Sequence, residues 1–293
     1  MTAHLLDGNA LARTYRESIR ARVKAVRDAG GEVRLDAVLV DSGDNGARVY
    51  AENQGKTCRE LGIEYKLHEL ASSSTYDDIA GRVLLLNNEE HVSAIMLHMP
   101  LPAGVEPYRV QRLIAPEKDV EGVNPANIGN VVYGRSSLAP CTGLAVVKML
   151  EHTHQELRGQ CCVVVGASDV VGKPIAVLLM RTDATVISCN KWTHDLGELT
   201  RLADVLVAAA GVPGLIKADM VKPGATVIDV GVNRVHSSDG KTRTVGDVDF
   251  EAVKEMASWI SPVPGGVGPM TVAMLLLNVI EAAERRGKAK KPA

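Results

Sequence analysis

The stretch "QCCVVVGASDVVGKPIAVLLMRTDATVISCN", residues 160–190, limits the possible fold more than any other part of the chain. It reads as strand, glycine-containing turn, helix and second strand. Two more apolar runs, "ADVLVAAAG" and "ATVIDVGVN", read as further buried strands. The same alternation appears upstream. "GNALARTYRESIRARVKAVRDAGG" predicts a helix closed by Gly30-Gly31, and "RLDAVLVDSG" a short buried strand. "NGARVYAENQGKTCRELG" predicts a helix with Gly62 just past its end, and "STYDDIAGRVLLLNNEE" a helix opened by Ser/Thr. "VSAIMLHMP" is a strand stopped by Pro100. Alternating strands and helices predict an α/β fold built on a mostly parallel sheet, and 293 residues suffice for two domains.

A change in composition marks the junction. "PLPAGVEP" and "IAPEKDVEGVNPANIGN" are rich in Pro, Gly, Asn and Asp, which is loop and linker material. "APCTGLAVVKMLEHT" then starts a new helix, so the junction is expected between residues 120 and 140. "WISPVPGGVGPMTVAMLLLNVIEAAERRG" is a loop followed by a long final helix, and "GKAKKPA" is expected to be an irregular tail.

Bulk properties exclude several roles. A formal net charge of −2 gives no drive toward nucleic acid or an anionic membrane. Aromatic residues make up 3% of the chain, too few for a stacking platform on single strands. The five cysteines form no CxxC pair and are expected to be free thiols in a reducing compartment. No metal site is expected. The N-terminal region lacks the apolar stretch of a secretory signal, and "MTVAMLLLNVI" is shorter than the ~20 residues a bilayer span needs. These features predict a soluble cytoplasmic protein.

Three stretches carry chemistry. In the first, Gly166 ends an apolar strand and Gly172 stands near the start of a helix. The spacing is G-x5-G rather than G-x-G-x-x-G, but strand and helix flank it as in a dinucleotide site. Backbone N–H groups at the helix N-terminus are expected to receive a pyrophosphate; the alternative is a plain glycine turn. The next strand ends in Asn190-Lys191, with no acid to oppose a 2′-phosphate. Lys191 therefore favours NADP over NAD, unless it is simply a solvated loop charge. In the second stretch, "SPVPGGVGPMT", three glycines and three prolines in eleven residues suggest a binding loop or a rigid turn. In the third, "YAENQGKTC", helical spacing stacks Tyr50 and Gln54 on one face and points Lys56 elsewhere.

Taken together, "GDN", "MPLPAGV", "EKDVEGVNPANIG", "PCT", "VVVGASDVVGKP", "IDVGVNR", "VGDV" and "PVPGGVGPMTVAML" resemble the FolD family, methylenetetrahydrofolate dehydrogenase/cyclohydrolase, in order and over nearly the whole chain. The resemblance implies an N-terminal α/β folate-site domain (1–138), completed by the returning C-terminal helix (270–293), and an NADP-binding Rossmann domain (139–269). It implies hydride transfer from 5,10-methylenetetrahydrofolate to NADP, followed by hydrolysis of the methenyl product to 10-formyltetrahydrofolate. It also implies a homodimer paired through the Rossmann domains. By the same resemblance Tyr50 lies against the folate. Gly166, Ala167 and Ser168 match the pyrophosphate turn, to which the residue pattern adds Gly172 at the helix start, while Val232 gives a cofactor-side backbone contact and Thr142 lies near the nicotinamide. Pro264, Gly265 and Gly266 line the folate.

Three positions depart from the family pattern. Gln54 stands where the family has its catalytic lysine, and Lys56 matches a different lysine outside the active site. His98 replaces the glutamine that bonds that lysine, and Glu121 replaces the aspartate that binds the pterin. The segment before Tyr50 is also one residue short. Three readings follow: a dehydrogenase with weak or no cyclohydrolase, a bifunctional enzyme in which His98 does the lysine's work, or a folate-binding protein without turnover.

Overall fold

A computed structural model describes residues 2–41, 43, 45–135, 138–236 and 242–289. In chain order the elements are β1 (His4–Leu5), α1 (Gly8–Asp28), β2 (Arg34–Val40), α2 (Asn45–Glu60), β3 (Glu64–Leu70), α3 (Tyr76–Asn88), β4 (Ala94–Leu97), α4 (Pro107–Gln111), α5 (Pro125–Val132) and α6 (Cys141–His152). They continue as β5 (Cys161–Val165), α7 (Gly172–Met180), β6 (Thr185–Cys189), α8 (Leu196–Thr200), β7 (Val205–Ala208), β8 (Thr226–Asp229), β9 (Asn233–His236), β10 (Thr242–Val245), α9 (Phe250–Val253), β11 (Trp259–Ile260) and α10 (Val267–Ala289). The fold is α/β, with parallel main sheets. Asp44 of the "GDN" piece lies outside the described residues. The expected irregular tail begins later than its composition suggests, because α10 runs to Ala289; residues 290–293 lie outside the described residues.

The chain forms two compact units. One comprises Met1–Arg13 and Thr142–Met274, the other Thr14–Cys141 and Leu275–Ala293. The first holds a six-stranded parallel sheet of order β1-β11-β8-β7-β5-β6. Its central strands are apolar on both faces, as a sheet covered by helices requires. Val163, Val165, Leu206, Ala208, Val227 and Ile260 form one continuous core. The two-residue β1 pairs with Trp259 and Ile260 at the edge of this sheet.

The second unit is built on a three-stranded parallel sheet, β3-β2-β4. Val38, Val40, Ile95 and Leu97 pack on Ile79, Val83 and Leu86 of α3. Polar groups satisfy both ends of that helix. Thr75 and Asp78 make a reciprocal capping box at the start. At the other end the buried Lys118 ammonium donates to the carbonyls of Leu86, Asn87 and Glu89 at 3.1, 2.7 and 2.8 Å. Those three bonds hold a cation where burial lowers its pKa.

The late part of α10 belongs to this second unit, so the C-terminal helix returns to it as expected. Arg22 of α1 pairs with Glu284 at 2.7 Å. Asn278, itself buried, donates to the Val120 and Ala139 carbonyls at 2.8 and 2.9 Å. Val267–Gly287 has a mean hydropathy of 1.4 and is long and apolar enough to cross a membrane, contrary to the short run read from the sequence. Within that stretch 61% of the apolar window is buried inside the protein, as in a core helix.

Asn278→Ala removes both bonds and leaves buried carbonyls without that donor, at about 2–3 kcal/mol. Urea unfolding followed by circular dichroism is expected to show this loss. A change below about 0.5 kcal/mol would show that the helix is held by apolar packing alone.

Candidate active site

In the second unit the polar residues converge on the end of β4. Chain order turns across β2, so β2 and β4 meet at a topological switch point, where parallel sheets leave a crevice beyond their C-terminal ends. Met96, Leu97 and His98 stand there, and the His98 N–H donates to the Val38 carbonyl at 2.9 Å. Each neighbouring element touches one of these residues. Gln54 of α2 donates from Nε2 to Met96 Sδ at 3.0 Å. Glu121 accepts from the Leu97 backbone. Tyr50 meets the His98 ring edge-on, with centroids 5.9 Å apart and planes at 81°. The four residues assigned to catalysis by resemblance therefore share one three-residue hub, while Lys56 is exposed.

Burial sets the electrostatics of this hub. His98 is 2% exposed, and desolvation lowers its pKa to about 4. Its imidazole is neutral at physiological pH. Burial raises the Glu121 carboxyl to about 7, with the Asp119 charge adding to the effect. Burial first, and then the Glu121 carboxylate, raise the Tyr50 phenol above its ordinary value. Gln54 Oε1, Asp119 Oδ1 and Glu121 Oε2 are enclosed without a hydrogen-bond partner. Three orphan acceptors in one unit favour a ligand rich in N–H donors.

Tyr65 of β3 belongs to this site, although its sequence shows no motif. Its hydroxyl lies 3.4 Å from His98 Nε2. The approach depends on Gly55, where a β-carbon would come within 2.7 Å of the Tyr65 ring. The glycine that follows Gln54 thus admits the aromatic ring flanking His98. Asp119 was also missed. Its Oδ2 accepts from the Asn124 N–H at 2.7 Å and from Asn127 Nδ2 at 2.9 Å, bracing the turn that carries Glu121.

In the first unit the glycine turn lies between β5 and β7, the switch point of the large sheet. A β-carbon on Gly166 would stand 2.0 Å from the Ala209 carbonyl oxygen, and one on Gly172 would stand 1.8 Å from the Gly166 oxygen. The G-x5-G spacing is therefore a packing requirement. At the start of α7, Gly172 and Lys173 donate to Ser168, and Pro174 has no N–H. Among the described residues, the backbone N–H groups from Ala167 to Val171 make no hydrogen bond. The free amides belong to the turn rather than to the helix start, and a turn of this kind suits a phosphate. Gly143 lets α6 press on α7, which holds Thr142 near that helix's first turn. Lys191 follows β6, whose last carbonyl, on Cys189, accepts from the Gly166 N–H at 2.9 Å.

Val232 and the Pro264-Gly265-Gly266 loop line one cavity of about 390 Å³, together with Asn9 and Asp229. Two buried carboxylates, unassigned in the sequence reading, fix its walls. Asp229 accepts from the N–H groups of Gly231, Asp247 and Val248, each at 3.0 Å. Asp247 accepts from Ala210 and Gly211 at 2.6 and 2.8 Å. These bonds explain the "IDVGVNR" and "VGDV" motifs as anchors for the loop bearing Val232. Burial raises the Asp229 pKa to about 6.

Two family models match the chain: the tetrahydrofolate dehydrogenase/cyclohydrolase catalytic domain over residues 6–121, and its NAD(P)-binding domain over residues 140–287. The chain is 47% identical to the bifunctional protein FolD of Nitrosospira multiformis over 286 residues, 97% of each chain. Its fold is similar to the Campylobacter jejuni bifunctional FolD enzyme, with TM-score 0.92, 38% identity, and coverage of 97% of this chain and 99% of that one. It is also similar to the Trypanosoma brucei enzyme complexed with NADP and an inhibitor, with TM-score 0.91, 33% identity, and coverage of 99% and 100%.

The burial of His98 has a measurable sign. Between about pH 6.5 and its folded value of about 4, the unfolded chain carries a proton that the folded chain refuses, so acidification removes stability. Glu121 and Asp229 act oppositely: the folded chain keeps their protons up to about 7 and 6, so their contribution is lost as pH rises through those values. His98→Gln is therefore expected to reduce the stability lost between pH 7 and pH 4.5, and the wild-type imidazole signals should stay fixed above pH 5.5 in NMR. An imidazole titrating near its ordinary value would overturn this picture.

Proposed function

This chain belongs to the tetrahydrofolate dehydrogenase/cyclohydrolase family, and we propose that it oxidises 5,10-methylenetetrahydrofolate with NADP while hydrolysing the methenyl product slowly. The observation that carries this reading is the amide at position 54, buried against Met96 with its oxygen unpartnered, in a chain whose phosphate turn is otherwise complete. Bound NADP supplies the hydride acceptor. The chain's own task in that step is positioning, which needs no proton carrier. Tyr50, half-exposed beside His98, offers a ring face to the flat pterin. Glu121 and the acceptor oxygens around it receive pterin N–H groups. Pro264, Gly265 and Gly266 line the folate, Thr142 and Val232 the nicotinamide side, and Gly166, Ala167, Ser168 and Gly172 the pyrophosphate.

Hydrolysis differs because water must lose protons as it adds and the ring nitrogen must gain one. Gln54 cannot exchange a proton near neutral pH, and His98 is too weakly basic to take one. Glu121 is the one group at the hub that changes charge near neutrality. A second reading follows from that: a bifunctional enzyme in which Glu121, rather than His98, moves the proton. A folate binder without turnover would have no use for the phosphate turn.

We also assign the assembly as a homodimer. In the six-stranded sheet β6 is an outer strand with one free edge among the described strands, and symmetric pairs are the commonest soluble assembly. The five free cysteines fit the reducing cytoplasm. Analytical ultracentrifugation at micromolar concentration is expected to return twice the 31.2 kDa chain mass; a monomer mass would refute the assignment.

The functional test follows NADPH and methenyl-folate separately during turnover. Methenyl-folate is expected to accumulate in the wild type. Gln54→Lys combined with His98→Gln should raise hydrolysis, by about 10²-fold where general acid–base help is restored. Residual hydrolysis should depend on pH with a midpoint near 7 and vanish in Glu121→Gln. Stoichiometric 10-formyltetrahydrofolate release that is indifferent to Glu121→Gln would sink both the slow-hydrolysis reading and the Glu121 role.

A further inference from the structure

Trp192 is one of two tryptophans in the chain and is 77% exposed. An indole this exposed needs a reason, because transferring its surface to water is costly. It stands three residues past β6, on the edge where the Cys189 carbonyl takes the Gly166 N–H. A short turn holds it there. Asn190 donates from its backbone to Thr193 Oγ1 at 2.9 Å, and the Trp192 N–H donates to Asn190 Oδ1 at 2.9 Å. The Thr193 N–H closes the turn onto the Asn190 carbonyl at 3.0 Å. Lys191 Nζ lies 5.0 Å from the centroid of the indole, at cation–π distance. The lysine is thus held over an aromatic ring rather than free in solution.

We propose that Trp192 and Lys191 form the receptor for the adenosine end of NADP, the indole stacking on the adenine ring and the ammonium pairing with the ribose 2′-phosphate. The proposal rests on the NADP reading above and adds a residue to it. With Lys191 over one face and most of the ring in solvent, a planar base can stack on the other face. The pairing has a direct chemical logic: the ammonium that reads the phosphate is positioned by the ring that reads the base. Lys191 alone distinguishes NADP from NAD, whereas Trp192 contributes equally to both, since both carry adenine. An exposed indole can instead serve as a contact between copies of the chain, and the experiment separates the two roles.

The probes are 2′,5′-ADP and 5′-ADP, which carry the adenosine end without a nicotinamide. On the full-length protein, 2′,5′-ADP is expected to quench tryptophan fluorescence saturably. The quenching should vanish in Trp192→Phe, because the other tryptophan, Trp259, packs against His4 and His152 elsewhere in the unit. By calorimetry Trp192→Ala should weaken both nucleotides about tenfold, while Trp192→Phe retains most of the affinity. Lys191→Ala should weaken 2′,5′-ADP about tenfold and leave 5′-ADP unchanged. Affinities of Trp192→Ala within twofold of wild type would overturn the proposal. So would quenching that survives Trp192→Phe, or a change in sedimentation mass with nucleotide binding intact. Wild-type protein that binds 5′-ADP but shows no preference for 2′,5′-ADP would overturn the NADP reading and the Lys191 role, leaving the indole's stacking measurable on its own.

Discussion

The large sheet works as a binding platform because its backbones pass closer together than a β-carbon allows. At the switch point between β5 and β7, Gly166 sits where any side chain would stand 2.0 Å from the Ala209 oxygen. The start of α7 then closes on the same turn through Gly172. One strand further on, Gly246 fits only because no side chain meets the Asp229 carboxylate 1.8 Å away. These approaches bring the loops after β5, β7 and β8 onto one edge, and their spare backbone N–H groups go to Asp229 and Asp247 or remain free in the turn after Gly166. Fold and site therefore share residues. Replacing such a glycine is expected to move main chain.

In the second unit the controlling factor is desolvation. His98 directly follows β4 and the Glu121 carboxylate accepts from Leu97 beside it, and burial moves both toward their neutral forms. A histidine is the customary candidate for proton transfer near pH 7, yet here the carboxylate titrates in that range. Residue type therefore misleads about role unless the environment is known. Tyr65 and Gly55 contribute to that environment: the ring admitted by the glycine covers His98 and removes it from water.

Strand and helix alternation and the glycine turn were legible, because apolar runs and punctuating glycines report them directly, whereas the return of the C-terminal helix followed only from the family resemblance. β3 was not legible. "EYKLHEL" is the outer strand of a three-stranded sheet, half-exposed and rich in charge, so it carries no apolar run. Tyr65 was lost with it. β1 is two residues long and forms only by pairing with Trp259 and Ile260, more than 250 positions away, which local patterning cannot report. α4 and α5 lie in the Pro- and Asn-rich stretch read as linker, although Pro107 and Pro125 sit at helix starts, where proline is favoured. The glycine turn between β5 and α7 stands where the motif put it, but its free amides belong to residues 167–171 because Ser168 engages the first amides of α7.

The three departures that the resemblance implies, at positions 54, 98 and 121, meet at one place in the fold. All of them meet Met96, Leu97 or His98, so none has an independent environment. An ammonium at position 54 would need acceptors, and a buried carboxyl within its reach would ionise to provide one. With an amide there instead, burial keeps the Glu121 carboxyl protonated up to about 7 and holds the imidazole at position 98 neutral. Reinstating a lysine alone would place a buried charge against the Met96 thioether. Part of its stabilisation would have to come from ionising a carboxyl, and on the proposed reading Glu121 is the group that moves the proton. On that reading a titrating acid stands where the resemblance implies a fixed cation, which would couple hydrolysis to pH near 7.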